Sequence, residues 1–160
     1  MKPSAHKKLF KKSFFTFDEF QNFDFKKYPL SVTAIHNNVK ERFNGKLENN
    51  KSYIIEDLYN YKEDFNRLKN IFIKKFKIKA IRWDVHLYAS MSDEASTFNI
   101  HTDPADNVIL QTDGLSLWKL PENFSTFLET GDAIFIPRGV KHGCIPMSKR
   151  VSLSFAFWNF

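Results

Sequence analysis

The spacing of apolar residues divides the chain into two regimes. From Ser31 onward, Val32, Ile35, Val39 and Phe43 recur at steps of three and four, and Asn44-Gly45 reads as a stop. That period predicts a helix with one apolar stripe, beside which His36 lies as a surface or partly buried residue. A polar loop follows over 45–52, and Tyr53-Ile54-Ile55 predicts a short strand. A second helix is predicted from about Tyr61 to Phe76, with Phe65, Leu68, Phe72 and Phe76 on one face and Lys69, Lys74 and Lys75 opposite. Thr16–Phe25 opens on a capping residue but spaces its apolar residues irregularly, so a short helix and an extended arm both fit.

From Ala80 the period becomes two. Ile81, Trp83, Val85 and Leu87 alternate with Arg82, Asp84, His86 and Tyr88, the pattern of a half-buried strand in which His86 is expected to be a structural residue of the pleat, with a fourth metal ligand as the alternative. Further strands are expected at 107–112, 115–120, 125–128, 132–136, 142–146 and 150–158, punctuated by Asp113-Gly114 and Gly131-Asp132. Short strands at this density close into a barrel or pack as a sandwich, which protects their edges. The chain reads as one mainly β domain over 1–160. Its N-terminal helical region, 1–78, should pack on the outer sheet of a β core formed by 79–160.

Composition narrows the class. The chain has 160 residues, enough for one sizeable core, and its 18 Phe against 5 Gly and 6 Pro describe an aromatic-packed globule. A single Cys excludes a disulfide framework and a cysteine-rich zinc site, so a reducing cytoplasm is the expected location. No stretch reaches the length of a membrane span, and the basic N-terminus lacks the apolar run of a signal peptide. The net charge of +6 is concentrated in part at Lys2, Lys7, Lys8, Lys11 and Lys12. A solvated arm that folding can dispense with is the simpler reading of that cluster, and contact with RNA, the ribosome or another polyanion is the functional one.

Chemistry concentrates between Asn99 and His142. In NIHTDPADN, His101 and Asp103 are two residues apart, a spacing that points both side chains to one face of a strand. GDAIFIPRGVKH delivers a distant imidazole, His142, after a turn that Pro137 and Gly139 permit. Two imidazoles and a carboxylate occupy one face of an octahedral ion and leave positions open, which suits non-haem Fe(II), with Mn(II) as a substitute.

Both segments resemble the cupin superfamily, and more narrowly its JmjC-like 2-oxoglutarate oxygenases. The first cupin motif, H-x-H followed by Glu and Gly, is matched in spacing by His101, Asp103, Asn107 and Gly114, with Asp and Asn standing for the second His and the Glu. The second, G-x5-P-x-G-x2-H, is matched by Gly131, Pro137, Gly139 and His142. The His-x-Asp form is the one that JmjC-like oxygenases use, and Val108 to Leu120 looks like their strand, hairpin and Trp. The resemblance covers about Trp83 to Trp158. It implies a double-stranded β-helix and an Fe(II)- and 2-oxoglutarate-dependent oxygenase. Such an enzyme is expected to be a hydroxylase, taking O2 and a protein or small-molecule substrate, with His101, Asp103 and His142 as metal ligands.

That family usually holds the distal carboxylate of 2-oxoglutarate with a Lys or Arg two residues after the hairpin Gly, and this chain has Ser116 there. The last strand offers a substitute. Arg150, Ser152, Ser154 and Ala156 share one face, and Val151, Leu153, Phe155 and Phe157 the other. With the apolar face covered by helices, Arg150 points into the barrel, where a buried cation needs an anion. Arg150-Val151-Ser152 also resembles the Arg-x-Ser pair of other 2-oxoglutarate oxygenases. Arg150 and Ser152 are therefore expected to hold the co-substrate. Asn107, on the same side as the ligands, is expected to bond a metal-bound water or carboxylate. Cys144 is expected to line the same cavity as a buried thiol. A metal cupin that does not use 2-oxoglutarate, favoured by Ser116, and a non-catalytic cupin-fold binding protein stay open as alternatives.

Overall fold

The computed structural model of the protein describes residues 1–28 and 32–160. In chain order its elements are β1 (Ser4–His6), α1 (Phe17–Gln21), β2 (Val32–His36), β3 (Val39–Arg42), β4 (Ser52–Ile55), α2 (Glu63–Phe76), β5 (Arg82–Ser90), β6 (Asp106–Asp113), β7 (Ser116–Lys119), β8 (Ser125–Leu128), β9 (Ala133–Ile136), β10 (Gly143–Pro146) and β11 (Arg150–Trp158). Eight strands form a sheet in the order β1-β9-β6-β11-β5-β4-β2-β3, and three form a second sheet, β10-β7-β8. Every neighbouring pair is antiparallel. Two sheets of this kind are consistent with a double-stranded β-helix.

The alternation along β11 separates two cores. Val151, Leu153, Phe155 and Phe157 lie on the outer face with Phe65, Leu68, Phe72 and Phe76 of α2 and with Phe17 and Phe20 of α1. Phe155 meets Phe72 edge-on at 5.1 Å and Phe65 at 6.3 Å. Full burial of each such ring is worth about 1.5–3 kcal/mol, which is why this aromatic layer holds α2 to the sheet. Between the sheets, Ile109, Ile134 and Ile136 pack against Trp118, Leu120 and Leu128. The polar side of β11 faces that interior.

One expected helix is absent. Ser31 lies outside the described residues, but Val32–His36 and Val39–Arg42 form a hairpin, and β2 also pairs with β4. Asn37 and Asn38 connect the strands at φ 49° and 65°. Two adjacent left-handed residues make the turn that matches strand twist, and Asn is the side chain that tolerates this conformation most readily after Gly. His36 is thus a strand residue, 3.2 Å from Glu41. The helical cover on the outer face is α2 with the five-residue α1, which a Thr16–Glu19 capping box starts.

The N-terminal arm is not free. β1 adds to the edge of β9, and Asp132, 3% exposed, gathers the chain behind it. Its carboxylate accepts from Lys8 N (2.7 Å), Glu129 N (2.9 Å) and Lys7 Nζ (3.0 Å). Phe10 N donates to Gly131 O at 3.1 Å, an approach so close that a Cβ on Gly131 would fall 2.1 Å from Phe10 O. Burial raises the Asp132 pKa, but the hydrogen bonds from Glu129, Lys8 and Lys7 outweigh it and the net shift is downward. Asp132→Ala removes a buried carboxylate that holds two backbone amides and the Lys7 ammonium, and is expected to cost about 1–3 kcal/mol, or several degrees of melting temperature. A folded pKa below the unfolded one contributes stability above about pH 4 that is lost as pH falls through the folded value, so the deficit of the variant should shrink in acid. Thermal melts of both proteins at pH 7 and in acid check this.

Candidate metal centre

His101, Asp103 and His142 come together from two segments that the chain separates by some forty residues. Residues 101 and 142 form an isolated antiparallel bridge, with His101 N to His142 O at 3.0 Å and His142 N to His101 O at 2.9 Å. This bridge fixes the backbones from which the two rings project, and the ring centroids are 4.5 Å apart. Asp103 lies between them, its Oδ1 3.8 Å from His101 Nε2 and its Oδ2 3.3 Å from His142 Nε2. One ligand atom from each residue falls within 4.8 Å of the other two.

The imidazole orientations are set by the backbone. His101 Nδ1 lies 2.7 Å from Asn99 O and His142 Nδ1 lies 2.9 Å from Val140 O. A carbonyl only accepts, so each Nδ1 carries a proton, and Nε2 is the nitrogen that faces Asp103. With Nδ1 held by a backbone carbonyl, Nε2 is the nitrogen that each ring can offer to a metal ion. Trp118 stacks on His142 at 6.1 Å and Phe98 meets His101 edge-on at 5.8 Å. Burial pushes the Asp103 carboxyl up, but the hydrogen bond from His142, both imidazoles and Asn107 outweigh it and the carboxyl is held below its ordinary value. Asn107 Nδ2 donates to Asp103 Oδ2 at 2.9 Å. Asn107 therefore orients a carboxylate of the triad itself. The donor set fits a divalent ion, with His142 buried and His101 and Asp103 partly open to solvent.

The cavity containing this triad is also lined by Tyr88, Ile109, Trp118, Cys144, Arg150, Ser152 and Ser154. Arg150 is 2% exposed, and no carboxylate pairs with it among the described residues. Its guanidinium is held by neutral groups: Nε donates to Ser90 Oγ at 3.0 Å and Nη1 to Ser152 Oγ at 2.7 Å. Behind them, Gln111 Oε1 accepts from Ser152 Oγ and from Ser116 Oγ, both at 2.8 Å, and Trp118 Nε1 donates to Ser116 Oγ at 3.0 Å. Ser52 and Ser90 share a further bond at 2.8 Å. Ser116, where a cation was expected by resemblance, is thus a buried strut beneath Arg150.

Sequence reasoning did not single out Ser52, Ser90, Gln111 or Tyr88 as part of the site. Their signal was present: Tyr88 and Ser90 continue the polar face of β5, and Gln111 is one amide in an otherwise apolar run. Burial first, and the charge of Asp103 second, push the Tyr88 phenol far above its ordinary value, so it stays a neutral donor. His86 is not in this cavity; its Nε2 lies 3.2 Å from Asp84.

No protein-family model matches the chain, and no curated protein matches it. Solved structures do. YcfD, a ribosomal oxygenase from Escherichia coli, superposes over 99% of this chain with a TM-score of 0.77 at 18% identity. The same protein in complex with cobalt and 2-oxoglutarate gives 0.74 at 16% identity. A conserved protein of unknown function from Streptococcus pyogenes, SPY1581, gives 0.50 at 12% identity over 78% of this chain and 94% of its own. The chain spans about half the length of the YcfD chains, 48% in both comparisons. At these identities the likeness is one of fold, which this chain shares with the YcfD structures.

Proposed function

We propose that the protein is an Fe(II)- and 2-oxoglutarate-dependent oxygenase acting as a hydroxylase, with His101, Asp103 and His142 holding the metal and Arg150 with Ser152 holding the distal carboxylate of 2-oxoglutarate. The observation that carries this reading is Arg150: a buried guanidinium with no carboxylate partner among the described residues, in the same cavity as a ligand triad. An uncompensated buried cation is costly, and serines that only accept from it orient the fork without neutralising it. A dianionic ligand supplies the missing charge.

The dimensions agree. Asn107, bonded to Asp103, and Gln111, bonded to Ser152, are four residues apart on one face of β6, about 13 Å along a strand. A five-carbon dicarboxylate with a metal contact at one end and a hydrogen bond at the other spans about 11 Å. Tyr88 adds a neutral donor to the same cavity, and the apolar wall of Ile109 and Trp118 limits water. With Fe(II) bound, such a centre couples oxidative decarboxylation of 2-oxoglutarate by O2 to hydroxylation of a substrate, releasing succinate and CO2. The likeness to a ribosomal oxygenase supports a protein as substrate.

The test is succinate formation. The Fe(II)-loaded protein is incubated with 2-oxoglutarate under air, beside His101→Ala. Metal-dependent succinate from the wild type alone supports the reading. No succinate from metal-replete wild type, with or without candidate substrates, overturns it and leaves a metal cupin of another kind.

A further inference from the structure

Twelve of the 24 lysines and arginines fall in two segments that contain no acidic residue at all: residues 1–17 hold five and residues 65–83 hold seven. The rest of the chain has twelve cations against all 18 acidic groups, so the molecule is strongly polarised. The fold brings these two segments side by side. His6 meets Phe76 edge-on at 4.9 Å, Phe10 meets Phe72 at 6.1 Å, and Lys12 reaches Asp64 at 3.3 Å. Residues 6–12 therefore run antiparallel to α2, from its C-terminal end to its first turn.

The lysines are presented on a fixed surface, because β1 and the Asp132 carboxylate tie the arm to the body. Lys8, Lys11, Lys74, Lys75, Lys77 and Lys79 are all exposed, and none of them makes an ion pair among the described residues. Burial and the nearby Lys75 charge both hold the His6 imidazole below its usual value, as expected where the two clusters meet. α2 packs on the outer face of the larger sheet, whereas the triad cavity lies on the inner face. A partner on the lysine face leaves the cavity open.

We infer that this face, built from the N-terminal arm and the C-terminal half of α2, binds the phosphodiester backbone of a nucleic acid. A row of fixed, unpaired lysines matches a polymer of phosphates, and the gain is the release of condensed counterions. The exposed side of α2 carries Asn66, Arg67, Asn70 and Lys74 and lacks the apolar stripe that a helix needs to enter a bilayer surface, because that stripe is buried on the sheet. The reading does not depend on the catalytic one.

The test uses the full chain and a fluorescein-labelled single-stranded RNA of mixed sequence, followed by anisotropy across a salt series. Wild type is expected to bind with a micromolar constant at about 50 mM salt and a log–log slope near −3, about four phosphates neutralised. Lys8→Glu, Lys11→Glu, Lys74→Glu and Lys75→Glu combined should weaken binding at least ~30-fold and flatten the slope. A second variant with the same net charge, Lys26→Glu, Lys27→Glu, Lys46→Glu and Lys119→Glu, should keep most of the affinity. The four Lys→Gln changes on the face, which add no repulsion, should lose at least ~10-fold, and they replace the Glu variant if that one fails to melt cooperatively. Absent RNA binding by wild type, equal loss in both charge-reversed variants, or binding to anionic phosphatidylglycerol vesicles in place of RNA would each overturn the proposal.

Discussion

Arg150→Met is expected to weaken 2-oxoglutarate binding about a hundredfold while leaving Mn(II) binding unchanged and the melting temperature of the free protein no lower. Two charge-assisted hydrogen bonds from a guanidinium to a carboxylate in a partly dry cavity are worth about 3 kcal/mol, which is two decades in affinity. The stability half of the prediction separates a ligand anchor from a structural arginine. Among the described residues Arg150 is buried and bonded only to Ser90 and Ser152, so the free protein bears the desolvation of a cation that no ion pair there offsets. Replacing such a group by an apolar side chain of similar length is neutral or stabilising, whereas breaking a structural ion pair is strongly destabilising. Arg150→Lys keeps the charge but loses the fork, and about a tenfold loss is expected. Calorimetric titration and thermal melting of the three proteins check these outcomes. A large drop in melting temperature with 2-oxoglutarate affinity intact would mean that Arg150 serves the fold.

His142→Ala is expected to lower divalent metal affinity by well over a hundredfold, with Asp103→Ala close behind. Losing an outer partner of a ligand typically costs 10–100-fold, and here a ligand itself is removed, leaving a two-donor remnant. Asn107→Ala is graded below these: it removes the 2.9 Å bond that orients Asp103, so a loss within that 10–100-fold range is expected. Equal affinity in wild type and His142→Ala, measured by Mn(II) titration, would dismantle the triad. His142 also stacks on Trp118, so circular dichroism of the aromatic region serves as the control for folding.

The part of this molecule legible in the sequence is the part where one physical cause dominates. β5 and β11 alternate cleanly because one face is packed on the aromatic layer and the other on the interior, and the alternation of β11 shows which face holds Arg150. α2 was legible because Phe65, Leu68, Phe72 and Phe76 repeat over about three turns. The hairpin of β2 and β3 was not. Val32, Ile35 and Val39 mimic a helical step, and the deciding feature is the pair Asn37-Asn38 at positive φ, a turn signal weaker than Asn-Gly. The arm misled for another reason: its lysines suggest solvent, while the pairing of β1 with β9 and a buried carboxylate about 125 residues later, Asp132, fasten it. At the site, the triad was visible from spacing, but the cradle of Arg150 required register. Ser90 stands opposite Arg150 and Gln111 opposite Ser152 only because β5 and β6 flank β11 in a specific alignment.

On the proposed function, one cavity holds an ion at the triad and a dicarboxylate between that ion and Arg150. A crystal structure of the protein soaked with Mn(II) and 2-oxoglutarate in the absence of O2 tests it most directly. The expected result is an ion ligated by His101 Nε2, Asp103 and His142 Nε2, with the distal carboxylate of 2-oxoglutarate on the Arg150 guanidinium and Ser152. An ion held elsewhere, or a metal-filled triad with the cavity around Arg150 empty of 2-oxoglutarate at saturating concentration, would contradict it.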